Sequence, residues 1–285
     1  MKKKYMYIVF ALLLSFVAVG CSSDDDYNAD TAVSYYVPGE YDRMVSSITI
    51  SNTVDGKEYT EKFDFVYDAQ NRIKEINGKF KRWIGDKHNI LCNTTTQANY
   101  YYKNDVLLVE WTEVNDYEDE IYDFAGRYLG VFNENGTLDK FSGDNFSGFD
   151  CEYQGMMLKK AYFDTKEWCE FGYDRSPNTN LISASAYALD SLDQKQLVQS
   201  YTYTYTPKAN KTNIDFASLL GYNIVERTIP DMQSTIYSLF QLGAFGMFGP
   251  LGTHLPAAGE WTFDEEGFPL TLTEPSGRKY VIEYK

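Results

Sequence analysis

"SSITISNTVDGKEYTEKFDFVYD", residues 46–68, is the stretch that decides the fold. Ile48 and Ile50 alternate with polar residues, Asp55-Gly56 interrupts, and Phe63, Phe65 and Tyr67 alternate back. Successive side chains on a strand point to opposite faces, so each half of the stretch presents one apolar face. Asp-Gly between two such runs is the dipeptide of a two-residue hairpin, because both central positions need positive φ. The stretch is an antiparallel hairpin with one dry face and one wet face.

The same pattern runs outward to the end of the chain. "RIKEINGKFKRW" (72–83) continues it, and "NYYYKNDVLLVEWTEV" (99–114) gives two strands about Asn104-Asp105. "MMLKKAYFDTKEWCEFGYD" (156–174) is a further hairpin, and "QLVQSYTYTYTP" (196–207) is an alternating strand ended by Pro207. "GEWTFDEEGFPLTLTEPSGRKYVIEYK" (259–285) adds three strands and two turns. One device recurs: an aromatic, then Asp or Asn, two variable residues, then Gly or Asn. It occurs at Tyr67-Asp68…Asn71, Tyr122-Asp123…Gly126, Phe132-Asn133…Gly136 and Phe263-Asp264…Gly267. The first Asp or Asn can cap a turn with its side chain, and the last residue accepts φ > 0. The copies are irregularly spaced, so this is shared turn chemistry and no solenoid period.

Helix is scarce. "TNIDFASLLG" (212–221) predicts a short helical turn ended by Gly221. In "PDMQSTIYSLFQLGAFGMFGPLG" (230–252), Pro230 and Asp231 resemble a helix start, and Ile236, Leu239, Phe240 and Leu242 could line one face. Glycines at 243, 246, 249 and 252 then break it. The expectation is a helix plus loop packed on the sheet or across a barrel mouth; the alternative is a mobile apolar lid. The expected fold is mainly β. It is a single large antiparallel sheet, a meander of hairpins that is rolled or barrel-like, with one short helical or Gly-rich excursion near 213–252. That many strands must close, curl or stack to hide their edges.

The 285 residues carry a formal charge of −15. Such a surface disfavours nucleic acid and anionic headgroups as partners. Aromatic residues make up 16%, led by 25 Tyr and 18 Phe. They suit cross-strand packing first and a sugar-stacking surface second.

The amino terminus supplies an address. Lys2 to Lys4 precede an apolar run from Tyr5 to Val19, and small residues close it, the shape of a secretory signal over 1–20. Val17-Ala18-Val19-Gly20-Cys21 resembles a bacterial lipobox, with Ala18 where leucine is commoner. The resemblance implies lipidation of Cys21 and anchoring to a membrane by two or three acyl chains. Ser22-Ser23-Asp24-Asp25-Asp26 resembles the acidic export signal of Bacteroidetes surface lipoproteins, which implies the outer membrane and its extracellular side. Residues 21–33 are expected to be an acidic tether, since Asp, Ser and Asn cannot bury apolar area, and 34–285 the β domain. Beyond Cys21, the thiols Cys92, Cys151 and Cys169 are odd in number. Cys151 and Cys169 fall two strands apart, too far for a bridge, so buried free thiols are expected.

With "FDFVYDAQNRIKEI" (63–76), "YTYTYTPKANKTNIDF" (201–216) and "LPAAGEWTFDEEGFPLTL" (255–272) through "YVIEY" (280–284), the chain is similar to a family of uncharacterised Bacteroidetes surface lipoproteins, a domain of unknown function with a porin-like fold. The resemblance implies a rolled sheet and transfers no catalytic residue. A real pore is not expected, because "SYTYTYT" alternates Thr and Tyr without a lipid-facing band.

Chemistry-bearing motifs are absent. There is no His-Glu-x-x-His, no paired Cys-x-x-Cys, no Gly-x-Ser-x-Gly and no phosphate loop. His88 and His254 have no signature around them, and "NDYEDE" (115–120) reads as a solvated acidic turn before it reads as a calcium loop. Neither metal, cofactor nor catalytic residue is assigned, and no ligand-binding residue is named. Trp83, Trp111, Trp168 and Trp261 are placed on strands as packing groups; several on one exposed face would instead form a sugar platform. The expected role is a surface-anchored, non-catalytic binding or scaffold module for a glycan, a host polymer or an outer-membrane protein partner. The alternatives are an extracellular carboxylate-dependent hydrolase of polysaccharide or peptide, and a purely structural envelope protein.

Overall fold

The computed structural model describes residues 35–84, 90–117, 120–144, 146–163, 165–174, 179–220 and 242–285. The expected leader, Cys21 and the expected tether, with His88, Gly221 and residues 230–241 of the excursion, lie outside the described residues.

Seventeen strands follow in chain order: β1 Val45–Val54, β2 Lys57–Tyr67, β3 Ile73–Ile84, β4 Ile90–Lys103, β5 Val106–Tyr117, β6 Glu120–Phe132, β7 Leu138–Gly143, β8 Phe146–Gln154, β9 Met157–Tyr162, β10 Glu167–Tyr173, β11 Leu181–Leu189, β12 Lys195–Thr202, β13 Tyr205–Ala209, β14 His254–Pro256, β15 Glu260–Phe263, β16 Pro269–Thr273 and β17 Lys279–Tyr284. Helix α1 Phe216–Leu220 precedes β14. Fifteen strands form one antiparallel sheet in the order β12 back to β1, then β17, β16 and β15. The meander is thus extended by pairing the first strand with the last, Val45 opposite Tyr284.

The sheet is open, since its edge strands β12 and β15 do not pair with each other. The β13–β14 ribbon links them: β13 continues from β12, and β14 leads into β15. Pro207 therefore does not end a strand but lies within β13. The ribbon pairs at Tyr205–Pro256 and Ala209–His254, so the missing proline N–H falls between paired positions of a short ladder.

The hairpin of residues 46–68 forms as its dipeptide dictates, with φ of 50° at Asp55 and 73° at Gly56. Three copies of the aromatic–Asp/Asn device are turns. Asp68 Oδ1 accepts from Gln70 and Arg72 N–H, Asn133 Oδ1 from Asn135 and Thr137, and Asp264 Oδ1 from Glu266 and Phe268. Asn71, Gly136 and Gly267 take the positive φ. The copy at Tyr122–Gly126 is not a turn; it lies inside β6. Gly126 serves packing there, because a Cβ would sit 2.7 Å from Trp111 Nε1.

The inner faces converge on one main core. Ile48, Phe63, Ile76, Tyr100, Leu107, Phe141, Phe149, Leu272 and Ile282 belong to it, from both halves of the sheet. Leu242, Ala244, Phe245 and Met247 fill its centre. Phe245 meets the edges of Phe65 and Tyr67, with ring centroids 5.3 and 6.2 Å apart. Met247 O accepts from Leu138 N–H at 2.8 Å, and Ala244 O from Asp215 N–H at 2.8 Å. The described part of the excursion is core laid across the concave face of the sheet.

Candidate functional site

In a meander every second turn lies at the same end. The β2–β3, β6–β7 and β8–β9 turns meet there with segments 210–213 and 246–253 and the N-terminal segment 35–41. They enclose a cleft of about 470 Å³, within the size range of small-molecule sites.

The floor is fixed by hydrogen bonds. Asn213 Oδ1 accepts from Val45 N–H at 2.9 Å, and its Nδ2 donates to Tyr67 Oη at 2.7 Å. Tyr67 in turn donates to Val45 O at 2.8 Å. Tyr36 is wedged against Phe132 (5.5 Å, 9° between planes) and Tyr102, and its hydroxyl donates to Phe245 O. Gly136, at φ 74°, lets the N-terminal segment approach: a Cβ there would lie 2.3 Å from Tyr35 O.

The rim is different. The Tyr41 hydroxyl and the side-chain amides of Asn71 and Asn135 have no hydrogen-bond partner among the described residues, and Tyr35 is 53% exposed at the mouth. Every described residue that lines it is uncharged. Burial pushes the Tyr36 and Tyr67 hydroxyls above the usual tyrosine range, and burial with the nearby Asp215 charge does the same for Tyr41. These phenols stay neutral donors at ordinary pH. Asp215 lies behind the wall at Gly252, with Oδ1 accepting Ala217 and Ser218 N–H. The cleft can stack and hydrogen-bond a neutral ligand, and its described lining holds no facing carboxylates of the glycosidase kind.

The cysteines, His254 and the acidic run lie outside this lining. Cys92 and Cys169 are buried, Cys151 is half-buried, and all three are free thiols. Cys151 and Cys169 both face Ala161 of the intervening β9. His254 is held by Thr253 Oγ1 and Asn180 through Nδ1. The described part of "NDYEDE" belongs to β5 and β6, and no group of metal-binding side chains occurs among the described residues.

The tryptophans are all on strands, but they form no common exposed strip, since Trp111 and Trp261 pack against the core. Trp111 stacks on Tyr128 against the core, and Trp261 meets the edge of Phe216. Trp83 donates to Glu58 O. On the outer face of β10, Trp168 stacks on Tyr187 at 5.6 Å, with Lys195 Nζ 3.6 Å from the Tyr187 centroid. Those ring faces are covered by each other and by the ammonium, so they offer no flat platform. Of the cleft residues, Asn71 is marked in the sequence only as the last residue of one turn device, Asn135 lies inside another copy, and Tyr41 carries no signal of its own.

No family model matches the chain, and no curated protein matches it. The fold is similar to that of a porin-like protein from Bacteroides uniformis, seen in a crystal structure at 2.32 Å resolution. The TM-score is 0.50 at 12% sequence identity, over 85% of this chain and 96% of that one. At that identity the likeness shows the fold alone. No helix among the described residues is long and apolar enough to cross a membrane.

Proposed function

We propose that the protein is a non-catalytic envelope lipoprotein, anchored through Cys21 on the outer surface, that holds a neutral hydroxyl-bearing ligand, a glycan, in the mouth cleft. One observation carries the reading: a chain of formal charge −15 has a cleft whose described lining combines Tyr, Asn, Thr and Gly with apolar residues such as Val37, Ile73 and Leu251 and includes no charged side chain. Phenols and amides match sugar hydroxyls as donors and acceptors, and tyrosine rings match the apolar face of a pyranose. The address rests on the lipobox-like run and on the aspartates behind it. The carboxylate-hydrolase reading would need a pair of acids, which the described lining of this cleft does not include.

The experiment is calorimetric titration with neutral and uronic-acid oligosaccharides. Tyr41→Phe and Asn71→Ala should each weaken binding of the neutral ligand about five- to tenfold, the worth of about one hydrogen bond, with melting temperature unchanged. Affinity should be flat between pH 5 and 9. Equal affinity for charged and neutral sugars, or binding untouched by both variants, would refute the site. The anchor is tested separately: Cys21→Ala should abolish labelling by a clickable palmitate analogue, and equal labelling would rule out lipidation there.

A further inference from the structure

β6 is paired with β5 along its whole length, from Val131 opposite Val106 to Glu120 opposite Tyr117. On its other side β7 reaches only from Phe132 to Tyr128. Arg127 marks where that pairing stops: its C=O accepts from Asp144 N–H, and its N–H donates to Asp144 Oδ2, each at 3.1 Å. Both groups of Arg127 therefore point away from β5. Backbone groups on a strand alternate in direction, so those of Ala125, Asp123 and Ile121 point the same way. Among the described residues nothing pairs with them. Three N–H and three C=O groups form an open ladder.

The side chains around this edge are exposed and apolar at Ile121 (68%), Phe124 (51%) and Tyr122 (39%). They are set among acids. Glu120 and Asp123 lie on β6 itself, and Asp116 and Glu113 are the β5 partners of Ile121 and Phe124. The one base of this half of β6, Arg127, is paired with Glu110 at 3.0 Å. A second copy of the chain is a poor occupant, because antiparallel self-pairing centred here sets Asp123 opposite Asp123, and facing like charges destabilise a sheet.

We infer that the free edge of β6, Ile121 to Ala125, is a strand-addition site for an extended cationic segment of a partner protein. The added strand places basic residues beside Asp123 on one face and apolar residues over Tyr122 and Phe124 on the other. Its backbone completes the ladder, the usual source of affinity in strand addition. This surface is separate from the cleft and does not depend on it.

The test uses an eight-residue peptide alternating Lys and Val, with a Glu/Val peptide as control. The Lys/Val peptide should bind at least tenfold more tightly. Residue-resolved amide exchange should show new protection at Ile121, Asp123 and Ala125 but not at Tyr122 and Phe124, whose amides already face β5. Ala125→Pro removes only an outward-facing donor and should weaken binding tenfold or more. Asp123→Lys, which leaves the ladder intact, should do the same through charge, and it decides the matter if the proline variant melts early. Binding equal in both variants, or protection spread without alternation, would overturn the inference in favour of nonspecific attraction to an acidic surface. Self-association abolished by Ala125→Pro would overturn it in favour of a second copy.

Discussion

Phe245 shows how one side chain decides the status of a whole segment. Glycines at 243, 246 and 249 make its surroundings look like a mobile lid, yet the ring is 6% exposed and edge-on to two aromatic rings of β2. The glycines have packing reasons. Gly249 takes φ 134°, and a Cβ there would lie 2.4 Å from Met156 O, so it lets the segment press against the β8–β9 turn. Phe245→Ala should leave a cavity between segment and sheet and cost about 3–5 kcal/mol, read as a clear fall in melting temperature by calorimetry. A melt like the parent's would return the segment to the lid reading. Gly126 makes the complementary point: its spacing after Tyr122-Asp123 reads as a turn, but the turn rule sees only neighbours in sequence. The indole of Trp111 that rests on it comes from another strand.

α1 shows a cap whose charge burial opposes. Asp215 Oδ1 accepts from Ala217 N–H at 2.9 Å and from Ser218 N–H at 3.3 Å, which satisfies groups that a five-residue helix cannot pair internally. Burial raises the pKa of this carboxyl, while the N–H donors oppose the rise. An acid whose folded pKa lies above its unfolded value, about 3.9, holds its proton in the folded state over a range where the unfolded chain has lost it. Its contribution to stability is greatest below about pH 4 and falls as pH climbs through the folded pKa. Asp215→Asn keeps the acceptor without the charge. Its melting temperature relative to the parent should therefore improve as pH rises above about 4. A variant that loses ground over that range would show that the charge is an asset. The helix itself was legible, because Asp215 stands before an apolar run; its burial was not, since that depends on the excursion folding back over it.

At the scale of the molecule, local alternation and turn dipeptides specify a meander, because each strand needs only its neighbour. They do not specify how the meander ends. The pairing of β1 with β17, and the gathering of alternate turns around a cleft, are relations between distant parts of the chain. Asn71, Asn135 and Tyr41 become one site only once those turns share an end. The same distance governs folding. β17 sits between β1 and β16, with Tyr280 and Ile282 at 4% and 2% exposure, and burying each contributes about 1.5–3 kcal/mol. Its loss would also strip the ladder from β1, leaving Val45 and Ile48 without a cover on that side. Pairing the two ends of a long chain costs closure entropy before any contact rewards it, so refolding should be slow. A chain stopped after Arg278 should keep some β signal in far-ultraviolet circular dichroism. It should lose the near-ultraviolet aromatic signal and any cooperative melt, because the core drawn from β1 to β8 and from β16 to β17 is one cluster. If that truncated chain still melted in one sharp transition, the meander from β1 onward would be a self-sufficient unit, and the pairing of first and last strands an addition to a sheet already stable without it.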